Sequence, residues 1–552
     1  MSAIPDTGIS ADPSAEWWRG GVIYQVYPRS YQDTTGDGIG DLNGITQRLP
    51  YIAALGVDAI WISPFFTSPM KDFGYDVSDY RDVDPMFGTL SDFDRLIETA
   101  HGLGVRVMID LVLSHSSDAH PWFEESRRNR TNPRADWYVW ADPKPDGTPP
   151  NNWLSIFGGT AWQWDVRRTQ YYLHNFLVSQ PDLNFHNPAV QEALLDVTRF
   201  WLDRGVDGFR LDTINFYFAD DQLRDNPALP PERRNAQIAP SVNPYNHQEH
   251  VYSKNRPENL VFLARFRALL DEYGAAAVGE VGDAQRGMEL LGEYTAEGRG
   301  VQMCYAFDFL SWDPLTSQRV VEVFAHLNDV APHGWPCWAF SNHDVTRHRT
   351  RWNLDESGAR CFATLIHAMR GSVCLYQGEE LGLAEAKVAY EDLQDPYGIE
   401  FWPEFAGRDG CRTPMVWEAS NTNGGFSEAK PWLPVSPDHL NDAVALQERR
   451  DDALLHHYRA VVGMRRDMPV LQTGPQIATE ATGDLLTFMR VDPKGGGERI
   501  FCAFNLGGGD TRVNLPAGGG WAPVTGIGGA EPASEDTDVA LGPWGYTILR
   551  AA

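Results

Sequence analysis

Residues 187–213, NPAVQEALLDVTRFWLDRGVDGFRLDT, hold a complete helix–strand unit. Asn187 can accept a hydrogen bond from a free helix N–H, and Pro188 suits the first helical position. Val190, Leu194, Val197 and Trp201 then recur at helical spacing, and Gly205 stops the helix. The run GFRLD (208–212) follows as a short strand that ends in polar residues.

The same order recurs. A helix from about Asp92 stops at Gly104 before VRVMIDLVL, NLVFLARFRALLDEY stops at Gly274 before AAAVGEV, and RCFATLIHAMR stops at Gly371 before SVCLYQGEE. Helices alternating with apolar strands imply a parallel sheet with helical crossovers. Strands are expected at 22–28, 58–64, 105–113, 208–212, 276–281, 302–309, 337–344 and 373–380, the eight that close a (β/α)8 barrel. A doubly wound open sheet is the alternative, but no GxGxxG follows the first strand.

The rhythm breaks between about His115 and His186, in a stretch rich in Pro, Asn, Trp and Gly. From about Val470 it becomes alternating strands such as 485–491, 499–506 and 545–550, with a Gly-rich turn between the first two. The expected division is a barrel from 1–115 and 187–470, an inserted loop-rich domain over 116–186, and a C-terminal antiparallel β-sandwich over 471–552.

A chain of 552 residues exceeds one hydrophobic core, in keeping with that division. Its 75 acidic against 46 basic residues give a net charge of −29, which disfavours nucleic-acid backbones and anionic membranes but leaves a neutral ligand unaffected. The 19 Trp supply flat faces that suit sugars, although most rings in any protein are core. Six cysteines without paired spacing fit a reduced, cytoplasmic enzyme. The opening MSAIPDTGISADPSAEWW has neither the basic nor the apolar region of a signal peptide, and no run reaches membrane-spanning length. Oligomeric state is left open.

In such a barrel, chemistry gathers at the carboxyl ends of the strands. Strand three brings Asp110 and His115, strand four Arg210 and Asp212, strand five Glu280, and strand seven His343 and Asp344. Carboxylates with an Arg and two His suit glycoside cleavage, in which one ionised acid meets the anomeric carbon and a protonated one serves the leaving oxygen. Arg210 points to the same side of its strand as Asp212 and would keep it anionic, while Glu280 needs a pocket that keeps it protonated. A metal site is the competing reading of clustered acids and His, but no HxH or HExxH spacing is present.

These residues also carry a family resemblance. DLVLSH (110–115), GFRLDTIN (208–215), GEV (279–281) and FSNHD (340–344) resemble the four signature regions of the α-amylase superfamily, glycoside hydrolase family 13. GVDAIWISP (56–64), GEELG (378–382) and RTPM (412–415) add to the match. QPDLNF (180–185) is similar to the α-glucosidase and oligo-1,6-glucosidase branch. The resemblance implies a retaining, exo-acting α-glucosidase with no organic cofactor, with Asp212 as nucleophile, Glu280 as general acid/base and Asp344 as transition-state stabiliser. It further implies that His115, Arg210 and His343 line the glucose subsite and that Phe157 and Phe176 wall it. Asp72 and Tyr75 would hold the far side of the ring, with Arg412 pairing Asp72 to close the pocket.

Thr213, directly after the nucleophile, implies preference for α-1,4 linkages, since α-1,6-preferring members tend to carry Val there. An oligo-1,6-glucosidase, a sucrose- or trehalose-rearranging transglucosylase and a catalytically silent binding subunit are the alternatives. The loop DTTGDGIGD (33–41) resembles the branch's calcium loop, with Asp33, Thr35, Asp37, the Ile39 carbonyl and Asp41 as oxygen donors. Thr35 departs from the usual Asn or Asp, and a Gly-rich turn held by Asp side chains is the competing reading.

Overall fold

The computed structural model describes residues 16–296, 298–492, 497–518, 520–532 and 537–551. The N-terminal stretch read above as no signal peptide lies outside them up to residue 15, as does most of the Gly-rich turn after 485–491.

Each expected barrel strand forms: Val22–Val26, Ala59–Ile62, Arg106–Leu111, Gly208–Leu211, Ala276–Val281, Met303–Ala306, Cys337–Trp338 and Ser372–Tyr376. They pair in parallel in chain order, the eighth returns to the first (Val22 opposite Val373), and a bridge between Cys304 and Pro336 joins the sixth to the seventh. The sheet is therefore a closed barrel, and its strands are buried on both faces.

The crossover helices follow the signals in the sequence. Asn187 accepts the Ala189 N–H at 2.9 Å and starts the helix Pro188–Leu202, and Gly205 turns the chain at φ +91°. That helix buries Val190, Leu194, Val197 and Trp201. Trp201 stacks on Phe66 with centroids 4.9 Å apart and donates its indole N–H to the Tyr80 carbonyl. Glycines set the approach of strands four and five. A Cβ at Gly208 would lie 2.4 Å from the Ala276 carbonyl oxygen, and one at Gly279 would lie 2.8 Å from the Ile214 side chain.

Between strand three and Pro188 lies a three-stranded antiparallel sheet of Trp140–Ala141, Gln170–Leu173 and Trp162–Asp165, with Trp153 and Trp162 at its core. The chain also departs from the barrel twice more than the sequence rhythm indicates, over 212–258 after strand four and over 377–442 after strand eight. These segments hold short 3-10 turns and little periodic structure, so no apolar pattern marks them. The C-terminal part is a five-stranded antiparallel sheet, in the order Gln476–Thr482, Leu485–Val491, Arg499–Asn505, Tyr546–Ala551, Trp521–Pro523. A two-stranded sheet, Thr511–Asn514 with Asp538–Leu541, packs against it through Phe501, Val513, Val539 and Leu549. All six cysteines are free and buried. Among the described residues no helix is long and apolar enough to cross a membrane.

Candidate active site

Arg210 is fully buried and organises the barrel floor. Its Nη1 donates to Asp110 (2.9 Å) and Asp212 (2.6 Å), its Nη2 donates to Glu280 (2.5 Å), and Nε and Nη2 both reach the Tyr305 hydroxyl. One guanidinium thus bridges the tips of strands three, four and five. Asp110 also accepts from the Trp61 indole (3.2 Å) and the Tyr75 hydroxyl (3.0 Å), so its charge is fully engaged below the cavity.

Asp212 and Glu280 stand above this floor and line a cavity of about 460 Å3. Thr213 links them: its hydroxyl donates to Asp212 (3.3 Å) and its backbone N–H to Glu280 (3.1 Å). The Thr213 backbone is left-handed, at φ +42°, which is costly for a β-branched residue and is concentrated in proteins at functional sites. Burial raises the pKa of both carboxyls. Arg210 pulls both back down, while Asp110 pushes Asp212 up and Asp212 pushes Glu280 up. Both are pushed up to about 7, so near neutral pH one of these neighbouring acids can hold its proton while the other is ionised.

Asp344 has the opposite character. Burial would raise its pKa, but the Arg408 and Arg412 guanidiniums outweigh it and hold the carboxyl far below its usual range. Its Oδ1 accepts from Arg408 (3.1 Å) and Arg412 (2.9 Å). His343 lies beneath, hydrogen-bonded to Gln25 (2.7 Å) and to the Tyr75 hydroxyl, and is kept neutral by burial. His115 and Phe176 line the cavity, and burial lowers the His115 pKa to about 4. Phe157 is half-buried, edge-on to Phe176 and 5.4 Å from the Arg408 guanidinium.

The pairing of Asp72 with Arg412 is corrected. Asp72 accepts instead from Arg408 (3.1 Å) and Gln180 (3.0 Å). Arg412 is turned beneath the wall, with Nε on the His343 carbonyl (2.7 Å) and Nη2 on Asp344. Both arginines lie on the loop GRDGCRTPM, and its folding decides which one faces the opening. Asp395 fixes the outcome by accepting the Arg408 backbone N–H (2.7 Å) and side chain (2.8 and 3.0 Å). On the opposite side, buried Asp76 accepts the N–H groups of Lys71 and Asp72 and so sets the loop that presents Asp72. Arg408, Gln180 and Tyr305 are site residues the sequence reading did not assign, and Asp110, which it placed at the barrel mouth, lies in the floor on Arg210. Gln180 stood within the QPDLNF motif, and Arg408 within four residues of the arginine chosen.

Loop 33–41 precedes the helix Leu42–Leu55. Asp33 accepts from the Thr35, Gly36 and Gly38 N–H groups (2.8 Å each) and from the Ser427 hydroxyl (2.6 Å). Asp37 accepts from Ile39 N–H (2.9 Å), and Asp41 caps the helix through Gly44 N–H (2.8 Å) and accepts from Thr34. Its donors are all oxygens, the chemistry of a hard cation. In this arrangement, however, the carboxylates face the loop's own N–H groups. Among the described residues no three His, Cys, Asp or Glu side chains form a group that could hold a metal.

Residues 25–474 match the family model for the α-amylase catalytic domain. A probable α-glucosidase of Rhizobium meliloti is 64% identical over the whole of both chains, and an oligo-1,6-glucosidase of Heyndrickxia coagulans is 38% identical over 83% of this chain and 87% of its own. Among solved structures, the α-glucosyl transfer enzyme XgtA superposes with a TM-score of 0.93 at 53% identity, covering 97% of this chain and 99% of its own. The trehalulose synthase MutB of Pseudomonas mesoacidophila gives 0.87 at 32% identity, over 98% and 100%. With a closed barrel, acids at the ends of strands four and five and in the loop after strand seven, and a family match across most of its length, the chain belongs to the α-amylase family, glycoside hydrolase family 13.

Proposed function

We propose that the protein is a retaining, exo-acting α-glucosidase that releases glucose from the non-reducing end of short α-glucosides. The observation that carries this reading is the Arg210 bridge, which holds Asp212 and Glu280 at one cavity. Retention needs two carboxyls about 5–5.5 Å apart across the anomeric carbon.

Glu280 gives its proton to the glycosidic oxygen as the C1–O bond breaks, and an Asp212 oxygen bonds C1, so the remaining sugar leaves as a neutral alcohol. Glu280, now anionic, takes a proton from a water whose oxygen attacks C1, the Asp212–C1 bond breaks, and the acid is restored. Two inversions give net retention. Asp344, strongly anionic, stabilises the oxocarbenium-like charge between these states. The Asp72–Arg408 ion pair, lining the same cavity, supports binding of a terminal glucose only.

Three finer readings go with this proposal. Thr213 supports a preference for α-1,4 linkages. Calcium in loop 33–41 is supported by its oxygen donors and requires Asp33, Asp37 and Asp41 to turn from their present partners. The six free, buried thiols support action in the cytoplasm. The division at 115/116, 186/187 and 470/471 is likewise our reading of the chain.

Similarity to an α-glucosyl transfer enzyme favours a second outcome, passage of the glucosyl unit to a sugar acceptor. Time-resolved NMR of products from maltose, isomaltose, sucrose and trehalose tests both. Glucose released fastest from maltose, with its new anomeric centre α, is the expected result. Products formed only by transfer would replace hydrolysis with the second outcome, and no turnover of any of the four would overturn both.

A further inference from the structure

Between strand four and the helix Asn259–Tyr273 the chain buries a lysine that the mechanism above does not use. Lys254 is 2% exposed. An ammonium so placed is tolerated only when its N–H groups find partners, and an apolar side chain would fill the space at less cost. Its Nζ donates to the Gly282 carbonyl at 2.6 Å and lies 3.3 Å from Asp283 Oδ2. It also stands 4.9 Å over the ring of Phe216, which lines the sugar cavity. Gly282 is two residues beyond Glu280.

The next residue, Asn255, adopts a left-handed backbone at φ +60°, a conformation in which Asn is several-fold enriched. Its N–H donates to the Asn215 carbonyl (2.8 Å), its Oδ1 accepts from Asn215 Nδ2 (2.7 Å), and its Nδ2 donates to Asp283 (2.6 Å). Asn215 is three residues beyond Asp212, and its own Oδ1 accepts the Gly282 N–H at 3.1 Å. Burial alone would raise the Asp283 carboxyl, but Lys254, Asn255 and the N–H groups of Arg286 and Gln285 hold it at about 2, so the anion that receives both side chains persists.

We propose that the dipeptide Lys254–Asn255 is a staple between the tips of strands four and five, positioning Glu280 against Asp212 and the glycosidic oxygen. Lys254 fixes the main chain after the proton donor, Asn255 fixes the main chain after the nucleophile, and Asp283 ties the two together. Both are positioning residues, and the inference rests on the α-glucosidase reading.

The test is leaving-group dependence in the full-length protein. Maltose needs a proton delivered to its leaving oxygen, whereas a dinitrophenyl α-glucoside departs as a stable anion without one. For Lys254→Met, kcat/KM on maltose is expected to fall by roughly 100-fold, and on the activated glucoside by no more than about a tenth of that factor. Asn255→Gly, which keeps the left-handed backbone and deletes the amide, is the second variant should the first not fold. It is expected to move the ratio in the same direction. Equal losses on both substrates, or no loss, in a folded variant would overturn the staple. A wild-type protein inactive on both substrates would instead overturn the α-glucosidase reading.

Discussion

Arg408 and Arg412 lie four residues apart and do different work. Arg408 joins Asp72, Asp344 and Asp395 at the cavity wall, while Arg412 braces the back of Asp344. A charged hydrogen bond of this kind contributes about 1.5–3 kcal/mol, so Arg408→Ala is expected to lower kcat/KM on maltose by about 10- to 100-fold. Steady-state kinetics on maltose checks this, and an unchanged constant would remove the ion pair from the account of exo-action. The acid pair predicts the pH profile. A carboxyl whose pKa is raised keeps its proton to higher pH, so the basic limb of kcat/KM belongs to loss of the pair's last proton and lies well above the ordinary Glu range. In Glu280→Gln that limb should vanish from the residual activity on the activated glucoside, and a limb left in place would assign it to another group. The acids themselves were legible because each ends an apolar run. The partner of Asp72 was not, since two arginines on one irregular loop carry the same charge and only the loop's path separates them.

The local elements follow directly from residue chemistry. Asn187, Pro188 and Gly205 each do at the helix Pro188–Leu202 what their types predict, so its start and end could be read to within a few residues. Asn187→Ala removes one cap bond and is expected to cost about 1 kcal/mol, with a lowered melting temperature and unaltered kcat/KM. An unmoved melting curve would mean that tertiary packing alone holds that end. Loop 33–41 carries the opposite lesson. The spacing that reads as a cation loop also satisfies a turn in which Asp33 and Asp41 accept the loop's own N–H groups, and sequence cannot separate the two. If calcium binds, chelator lowers the melting temperature and added calcium restores it, because binding to the folded state alone stabilises it. Melting indifferent to both would leave the turn as the whole explanation.

Across the whole molecule, barrel closure converts distant sequence positions into one floor. Arg210 reaches Asp110 from 100 residues away and Glu280 from 70. Helix–strand alternation made the eight strands legible, but the segments 212–258 and 377–442, which supply Phe216, Lys254 and Arg408, have no period to read. In the proposed mechanism Asp212 forms a covalent bond to the anomeric carbon. A fluorinated α-glucosyl fluoride, which slows release of the intermediate, should leave one sugar on the protein, and fragmentation of the labelled peptide by mass spectrometry should locate it on Asp212. A label on any other residue would remove Asp212 from the role of nucleophile.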